Sequence, residues 1–174
     1  KEIREFVIYL HDVKKMSENT ELSYKRDLQK LQSFLKEQGI EELEQDRVFC
    51  GHDVIHFLDV ARLAWIENLE QQLGLEKEHV YAAALLHDIG RHLQYEQGIP
   101  HEEGSVMLAG EILRDCGFSD AECLEICDAI AGHRAKKTGK DGGLAGALYR
   151  ADKASRMCLF CAADAECNWP EEKK

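Results

Sequence analysis

The stretch Ala82-Ala83-Ala84-Leu85-Leu86-His87-Asp88-Ile89-Gly90-Arg91 decides how the rest of this chain is interpreted. Residues 81–86 are apolar on every side, which predicts a buried helix rather than an amphipathic surface helix. A histidine and a carboxylate at the end of such a helix are costly to bury without partners. Both are metal ligands, so a bound ion would remove that cost. The alternative is a hydrogen bond between His87 and Asp88 in a purely structural network.

Three histidines and one aspartate elsewhere in the chain support the metal interpretation. His56 and Asp152 each share a helix face with apolar residues four positions away, which predicts that both point inward. His101 and His133 lie between them in the sequence. Each of these residues alone would be interpreted as an ordinary core or surface residue. Together with the central pair they form the order His, His-Asp, His, His, Asp.

This order resembles the HD superfamily of metal-dependent phosphohydrolases. Residues 87–90 match the HDIG signature of that family, and His56 with the residues that follow it matches the first helix. Asp152-Lys153 matches the distal aspartate element. The resemblance spans residues 46–160 and implies an all-α fold, an HD-domain helical bundle with a two-helix N-terminal appendage.

The resemblance also implies which residues hold metal. In the family, the first His, the His-Asp pair and the last Asp bind one ion, and here these are His56, His87, Asp88 and Asp152. Members with two further histidines hold a second ion, which the tandem aspartate bridges. His101 and His133 match those positions. The pattern is most similar to small HD hydrolases that cleave diadenosine tetraphosphate symmetrically, which implies a small phosphorylated substrate such as a nucleotide.

The predicted chemistry is hydrolysis by metal-activated water. Imidazole and carboxylate ligands suit one or two ions of Fe, Mn, Ni, Co or Zn, and such ions lower the pKa of bound water for attack on phosphorus. The catalytic residues predicted to act with the ions are Asp88, Arg91 and Lys153.

Three further residues are predicted to contact substrate. His52 lies one helical turn before His56 on the same face, and Arg134 and Lys137 belong to a basic loop that could steer an anionic substrate. The alternatives are a surface histidine at a helix end and a solvated loop.

Length, charge and composition limit the kinds of protein that this chain can be. The chain has 174 residues, which is enough for one domain, or one domain with an appendage. Its formal net charge is −11. Strand-like alternation is absent, and no apolar run approaches membrane-spanning length. The acidic balance argues against broad binding to nucleic acids or anionic membranes. These features predict a cytoplasmic protein that does not associate with membranes, and they leave its oligomeric state open.

The chain divides into two predicted units, residues 1–44 and residues 45–174. The first contains two amphipathic helices, at 2–15 and 20–38, and the second contains about five. The five are predicted near 52–73, 77–89, 101–116, 119–131 and 143–160. Gly74, Gly90, Gly117 and Gly132 fall near the predicted helix ends, where glycine is common.

The first unit resembles the beginning of the core-binding domain of Xer-type tyrosine recombinases. The resemblance rests on Ser17-Glu18-Asn19-Thr20, on residues 24–28 and on Gly39-Ile40. It covers about half of such a domain and includes no counterpart of the recombinase catalytic domain. Residues 1–44 carry 8 Lys and Arg against 10 Asp and Glu, so this unit is expected to be dispensable for chemistry and to bind DNA weakly.

Two classes of function follow from these features. The first is an HD phosphohydrolase. The second is a non-catalytic module that senses a nucleotide or associates with DNA. A full set of six ligands favours the enzyme, since a binding module does not require a complete water-activating site.

The cysteines suggest a separate metal site. Cys158, Cys161 and Cys167 form a C-x2-C-x5-C run, and Cys50 precedes the first helix of the second unit. Four thiolates could hold zinc or an iron–sulfur cluster. The alternative is that these are reduced, partly buried cysteines without metal.

Overall fold

The fold is taken from a computed structural model that describes residues 51–156, 158 and 161–167, and five residues nearer the N-terminus, namely Gln29, Ser33, Lys36, Glu37 and Gly39. Residues 51–156 contain six α-helices and no β-strand. They are α1 (Val54–Gln71), α2 (Lys77–Leu86), α3 (Arg91–Gln97), α4 (His101–Asp115), α5 (Asp120–Gly132) and α6 (Leu144–Ala154). Short 3₁₀ helices lie between α5 and α6, at Thr138–Lys140, and after α6, at Asp164–Glu166. The predicted all-α bundle is therefore confirmed.

A single hydrophobic core joins five of these helices. Helix α1 packs against α2 and α6, and α5 packs against α2, α4 and α6. The large side chains at its centre, all buried, come from different helices, namely Phe57, Val80, Leu113, Ile126 and Leu148. The helices that meet at this core also carry or end at four polar residues, namely His56, His87, His133 and Asp152. Their imidazole and carboxylate side chains therefore converge beside the core.

Helix ends follow from local capping chemistry. Asp53 precedes α1 and its carboxylate accepts from the backbone N–H of His56 at 2.9 Å. Ser119 and Glu122 form a reciprocal capping box at the start of α5. Gly74 and Gly117 adopt positive φ, 71° and 89°, just beyond α1 and α4, which confirms them as residues at helix ends.

Two predicted helices end earlier than expected. The helix predicted to reach 89 ends at Leu86, and His87 is its C-cap residue. Residues 87–90 then form a tight turn from which α3 begins, a short helix that apolar periodicity did not indicate. The helix predicted to reach 160 ends at Ala154, with Ser155 as its C-cap residue.

The predicted helix at 2–15 lies outside the described residues. Of the one predicted at 20–38, Gln29, Ser33, Lys36 and Glu37 are helical, and a turn follows at Gly39 with φ 65°. The division at 44/45 stays a prediction. Within the part of the chain that the structure describes, no helix is long and apolar enough to cross a lipid bilayer.

Candidate metal centre

Asp88 lies at the centre of a ring of imidazoles. It occupies the turn between α2 and α3 and is almost fully buried. Its Oδ2 lies 3.5 Å from Nε2 of His52 and 3.5 Å from Nε2 of His87. Its Oδ1 lies 3.1 Å from Nε2 of His101 and 3.6 Å from Nε2 of His133. The two oxygens of one carboxylate therefore face two different pairs of histidines.

His56 and Asp152 complete the cluster on the Oδ2 side. Nε2 of His56, in the first turn of α1, lies 3.6 Å from Oδ1 of Asp152 in the last turns of α6. The potential ligand atoms of His56, His87 and Asp152 all lie within 4.8 Å of one another, and so do those of His87, Asp88 and His133. The six residues predicted as metal ligands are thus brought together at one site.

His87 and His133 each have Nδ1 engaged outside the cluster. Nδ1 of His87 lies 2.7 Å from the carbonyl oxygen of Ala84, and Nδ1 of His133 lies 2.6 Å from that of Ile130. A carbonyl oxygen only accepts, so in the neutral ring Nδ1 carries the proton and Nε2 carries the lone pair. Hydrogen bonds of this kind orient histidines that ligate metals.

Three buried polar atoms of the cluster have no hydrogen-bond partner in the structure. They are Nε2 of His56, Nε2 of His87 and Oδ1 of Asp88. Leaving a buried polar atom without a partner costs roughly 1–3 kcal/mol. Each of these atoms presents a lone pair, so lone pairs face one another across the cluster, and a cation between them would relieve the contact. The donor set fits a divalent transition metal.

The electrostatics keep the imidazoles of His56, His87 and His101 neutral. Burial, together with the neighbouring His87, lowers the pKa of His56 to about 3, and burial lowers the pKa of His101 to about 4. The pKa of His87 is also lowered by burial. For Asp88, burial acts to raise the pKa, but the neighbouring His87 and the Arg91 guanidinium outweigh it and hold the pKa well below its usual value. Neutral rings beside an ionised carboxylate are the protonation states that metal binding requires.

These pKa shifts predict that the metal-free protein loses stability as the pH falls. Histidines of the unfolded chain take up protons below about pH 6.5, whereas His56 and His101 of the folded chain do so only near pH 3 and 4. The unfolded state therefore binds more protons across this window, so the free energy of unfolding decreases from pH 6.5 towards 4. Urea unfolding should show a loss on the order of 1–2 kcal/mol per histidine at pH 5 relative to pH 7.

The control for this pH dependence is His56→Gln, which should show a smaller loss between the two pH values. Equal stability of the metal-free protein at pH 5 and pH 7 would contradict the prediction.

Basic residues border both carboxylates. Arg91 is buried and its Nη1 donates to Oδ2 of Asp88 at 3.3 Å. Lys153 contacts Oδ2 of Asp152 through Nζ, and Nη2 of Arg156 lies 3.9 Å from Oδ1 of the same carboxylate. Arg91 and Lys153 were predicted near the site from their sequence neighbours. Arg156 was not, although it lies four residues after Asp152, a spacing that could have indicated it.

The residues predicted to contact substrate lie at different depths. His52 is buried against Asp88, and its ligand atom groups with those of His56 and Asp88 within 4.8 Å. Arg134 is exposed, and its Nη1 lies 3.2 Å from a carboxylate oxygen of Glu102, next to His101. Lys137 is exposed on the loop after α5. His52 therefore belongs to the cluster itself, and Arg134 lies beside it.

Two polar residues that contact the cluster were missed by sequence reasoning. Ser155 Oγ lies 3.2 Å from Nδ1 of His56, and Oε1 of Gln94 lies 2.7 Å from Nδ1 of His101. Ser155 follows Asp152 by about one turn, a spacing that could have indicated it. Gln94 lies on α3, the helix that periodicity did not reveal.

The proposed cysteine site stays a prediction. Cys50 lies outside the described residues, and Cys158, Cys161 and Cys167 are each partly buried. Among the described residues, the groups whose ligand atoms converge within 4.8 Å are the three formed by the histidines and aspartates above, and they include no cysteine.

The chain is similar to known proteins over most of its length. The model of the phage integrase N-terminal SAM-like domain matches residues 3–70, in agreement with the resemblance of the N-terminal unit, and it overlaps α1. An uncharacterized protein of Clostridium beijerinckii is 49% identical over 133 residues, which is 76% of this chain and 83% of that protein.

A solved structure shares the fold. The crystal structure of a predicted HD superfamily hydrolase from an uncultured Thermotogales bacterium superposes with a TM-score of 0.62 at 21% identity, covering 84% of this chain and 80% of that one. The HD domain model matches residues 53–169, which contain every residue of the cluster except His52. The chain belongs to the HD domain family.

Proposed function

We propose that this protein is a metal-dependent phosphohydrolase that cleaves a phosphate ester or anhydride of a small molecule. The observation that carries the proposal is the set of buried lone pairs around Asp88, in particular the unpartnered Nε2 atoms of His56 and His87 and the unpartnered Oδ1 of Asp88. A purely structural cluster would pair these atoms with one another, since buried polar groups are normally hydrogen-bonded.

The cluster has room for two sets of ligands that share one carboxylate. His56, His87 and Asp152 form one half with Oδ2 of Asp88 beside them. His101 and His133 form the other half around Oδ1. We assign Asp88 as the residue common to both halves. Iron, manganese, nickel, cobalt and zinc all suit this mixture of imidazole and carboxylate.

A divalent ion, when bound here, would supply Lewis acidity towards a phosphoryl oxygen and a water of lowered pKa as the nucleophile. The chain supplies fixed charge and orientation. Lys153, about a quarter exposed at its side chain, is placed to neutralise a phosphate that approaches Asp152. Arg91, which is buried against Asp88, serves as the charge partner that keeps this carboxylate ionised and oriented. Direct contact between Arg91 and substrate is therefore not part of the proposal.

The substrate class follows from the charge distribution. The chain as a whole carries a net charge of −11, which opposes binding of long polyanions. Cations are concentrated near the site, where Arg134 lies beside His101 through Glu102 and Lys137 is exposed on the same loop. A local cluster of this kind attracts a small anion. We propose a nucleotide or a dinucleoside polyphosphate as the substrate.

The experiment that tests the function is a hydrolysis screen on the full chain. Nucleotides, dinucleoside polyphosphates and simple phosphate esters are each incubated with the chelated protein and one added metal, and phosphate or nucleotide products are measured. The proposal expects turnover with at least one metal and none after chelation. Activity that survives stringent chelation, or metal-loaded protein that hydrolyses none of the panel, would contradict it.

His52 allows a test of which histidines bind metal and which contact substrate. It lies beside Asp88, and its ring lies 5.1 Å from that of His56. However, His56, His87 and Asp152 already form the ligand set on this side of Asp88. We therefore assign His52 to substrate contact and proton transfer. His52→Asn should lower kcat by about 10²-fold while the metal content per chain stays unchanged.

The control for His52 is His92→Asn, because His92 is also buried but contacts the carbonyl oxygen of Ile89 outside the cluster. Loss of bound metal in His52→Asn would show that His52 is instead a ligand.

The alternative function is a non-catalytic module that senses a nucleotide or associates with DNA. The match of residues 3–70 to the phage integrase N-terminal SAM-like domain favours the DNA-associated form. Fluorescence anisotropy of the full chain with labelled duplex DNA separates the two. Tight, salt-sensitive binding together with absent hydrolysis would favour the alternative.

A further inference from the structure

The histidines of the cluster obtain their Nδ1 partners in two different ways. His87 and His133 are the C-cap residues of α2 and α5. Each ring reaches the carbonyl oxygen three residues earlier in its own helix. These two rings are therefore oriented by the backbone alone.

His56 obtains its Nδ1 partner from a different helix. Unlike His87 and His133, it lies in the first turn of its helix, α1. Its Nδ1 instead meets Oγ of Ser155, which comes from the end of α6. The hydroxyl of Ser155 donates to the carbonyl oxygen of Asp152 at 2.9 Å. Because that hydroxyl has a single proton, its oxygen must accept from His56, which fixes the proton on Nδ1.

His101 is the first residue of α4 and also obtains its Nδ1 partner from outside its own helix. Oε1 of Gln94 accepts from the backbone N–H of His101 at 3.2 Å and lies 2.7 Å from its Nδ1. The backbone N–H can only donate, so the Gln94 atom that faces it must be the amide oxygen rather than the nitrogen. That oxygen then requires a proton on Nδ1 of His101, which leaves the lone pair of Nε2 directed at Asp88.

We infer that Ser155 and Gln94 are positioning residues that fix the Nδ1–H tautomers of His56 and His101, and that each thereby sets the metal affinity of one half of the centre. The affinity part rests on the proposed function, whereas the tautomer part does not. Hydrogen-bond partners of this kind change metal affinity by about 10–100-fold. The two residues touch different histidines on opposite sides of Asp88, so their effects fall on different halves.

The first experiment measures tautomers without metal. The full chain, with ¹⁵N-labelled histidine and stripped of metal, is compared by NMR with Ser155→Ala and Gln94→Leu at neutral pH, where the two neutral tautomers give different ¹⁵N shifts. Ser155→Ala should shift His56 towards a mixture and leave His101 unchanged, and Gln94→Leu should do the reverse. Ser155→Thr, which keeps the hydroxyl, should restore the tautomer of His56.

The second experiment titrates the same proteins with Co²⁺ and follows binding by calorimetry and visible absorption. Each variant should weaken one of two Co²⁺ sites by about 10–100-fold, and the other site by no more than about twofold. The controls are Ser119→Ala, which removes a serine hydroxyl from a helix end remote from the cluster, and Gln97→Leu at the exposed end of α3. Both should bind Co²⁺ as the wild type does.

The outcomes separate this inference from the proposed function. Unchanged tautomers in the two variants, or equal weakening of both Co²⁺ sites by each of them, would overturn the positioning role. A wild-type chain that binds no Co²⁺ would overturn the proposed function and the affinity part of the inference. The tautomer measurement would then still decide whether Ser155 and Gln94 orient the two rings.

Discussion

Asp88→Ala is expected to abolish metal binding and phosphohydrolase activity together. Four imidazole Nε2 atoms lie within 3.1–3.6 Å of its two oxygens, so its removal takes the shared ligand from both halves of the cluster. The side chain also supplies the negative charge that compensates a bound cation. We expect turnover to fall by about 10³-fold or more, which corresponds to roughly 4 kcal/mol of transition-state stabilisation.

The measurement for this variant is metal content per chain, together with the rate on the best substrate from the hydrolysis screen. The matched control is Asp128→Ala, which removes an exposed carboxylate on α5 and should leave both quantities unchanged. Circular dichroism verifies that Asp88→Ala remains helical. Full activity or wild-type metal content in Asp88→Ala would refute the assignment of this residue.

Gly90→Ala is expected to destabilise the protein strongly, although Gly90 bears no functional group. A Cβ on Gly90 would lie 2.2 Å from the backbone carbon of Gly104 and 2.2 Å from the backbone nitrogen of Ser105. The backbone of α4 cannot move aside as a flexible side chain would. The turn that carries His87 and Asp88 must therefore move away from α4. We expect a loss of about 2–3 kcal/mol in the free energy of unfolding and a fall in Tm of roughly 5–10 °C.

The displaced turn should also weaken metal binding, because Asp88 precedes Gly90 by two residues. Gly142→Ala is the control, since a Cβ there meets no atom within 4 Å and its φ is not in the left-handed region. Thermal unfolding and Co²⁺ titration of the two variants provide the comparison. A Gly90→Ala protein with the Tm and Co²⁺ affinity of Gly142→Ala would contradict the packing argument.

The role of Gly90 also shows where sequence reasoning reached its limit. Its position after an apolar run predicted a helix end, and the helix does end nearby, at Leu86. Its φ is −87°, however, so the residue is not needed for a left-handed turn. The close approach of α4 is what requires glycine. A contact between segments fourteen residues apart leaves no local signal in the sequence.

The candidate metal cluster could be predicted from sequence because His56 and Asp152 lie on apolar helix faces and because the six residues match the order of the HD family. His56, His87 and Asp152 were expected to point inward, and they meet as expected. The hydrogen bonds that orient the rings were not accessible, since Ser155 and Gln94 are common polar residues. Their importance depends on the contacts that they make with His56 and His101 at the two helix starts, which only the structure shows.

The most direct test of the metal centre is a crystal structure of the full chain grown with Mn²⁺, with anomalous scattering measured to locate the ions. The account predicts anomalous density beside Asp88, with one ion about 2.0–2.2 Å from Nε2 of His87 and the carboxylate of Asp152. A second peak is expected between Asp88 and the rings of His101 and His133. A site without anomalous density, in which a proton or water instead links Asp88 to the histidines, would contradict it.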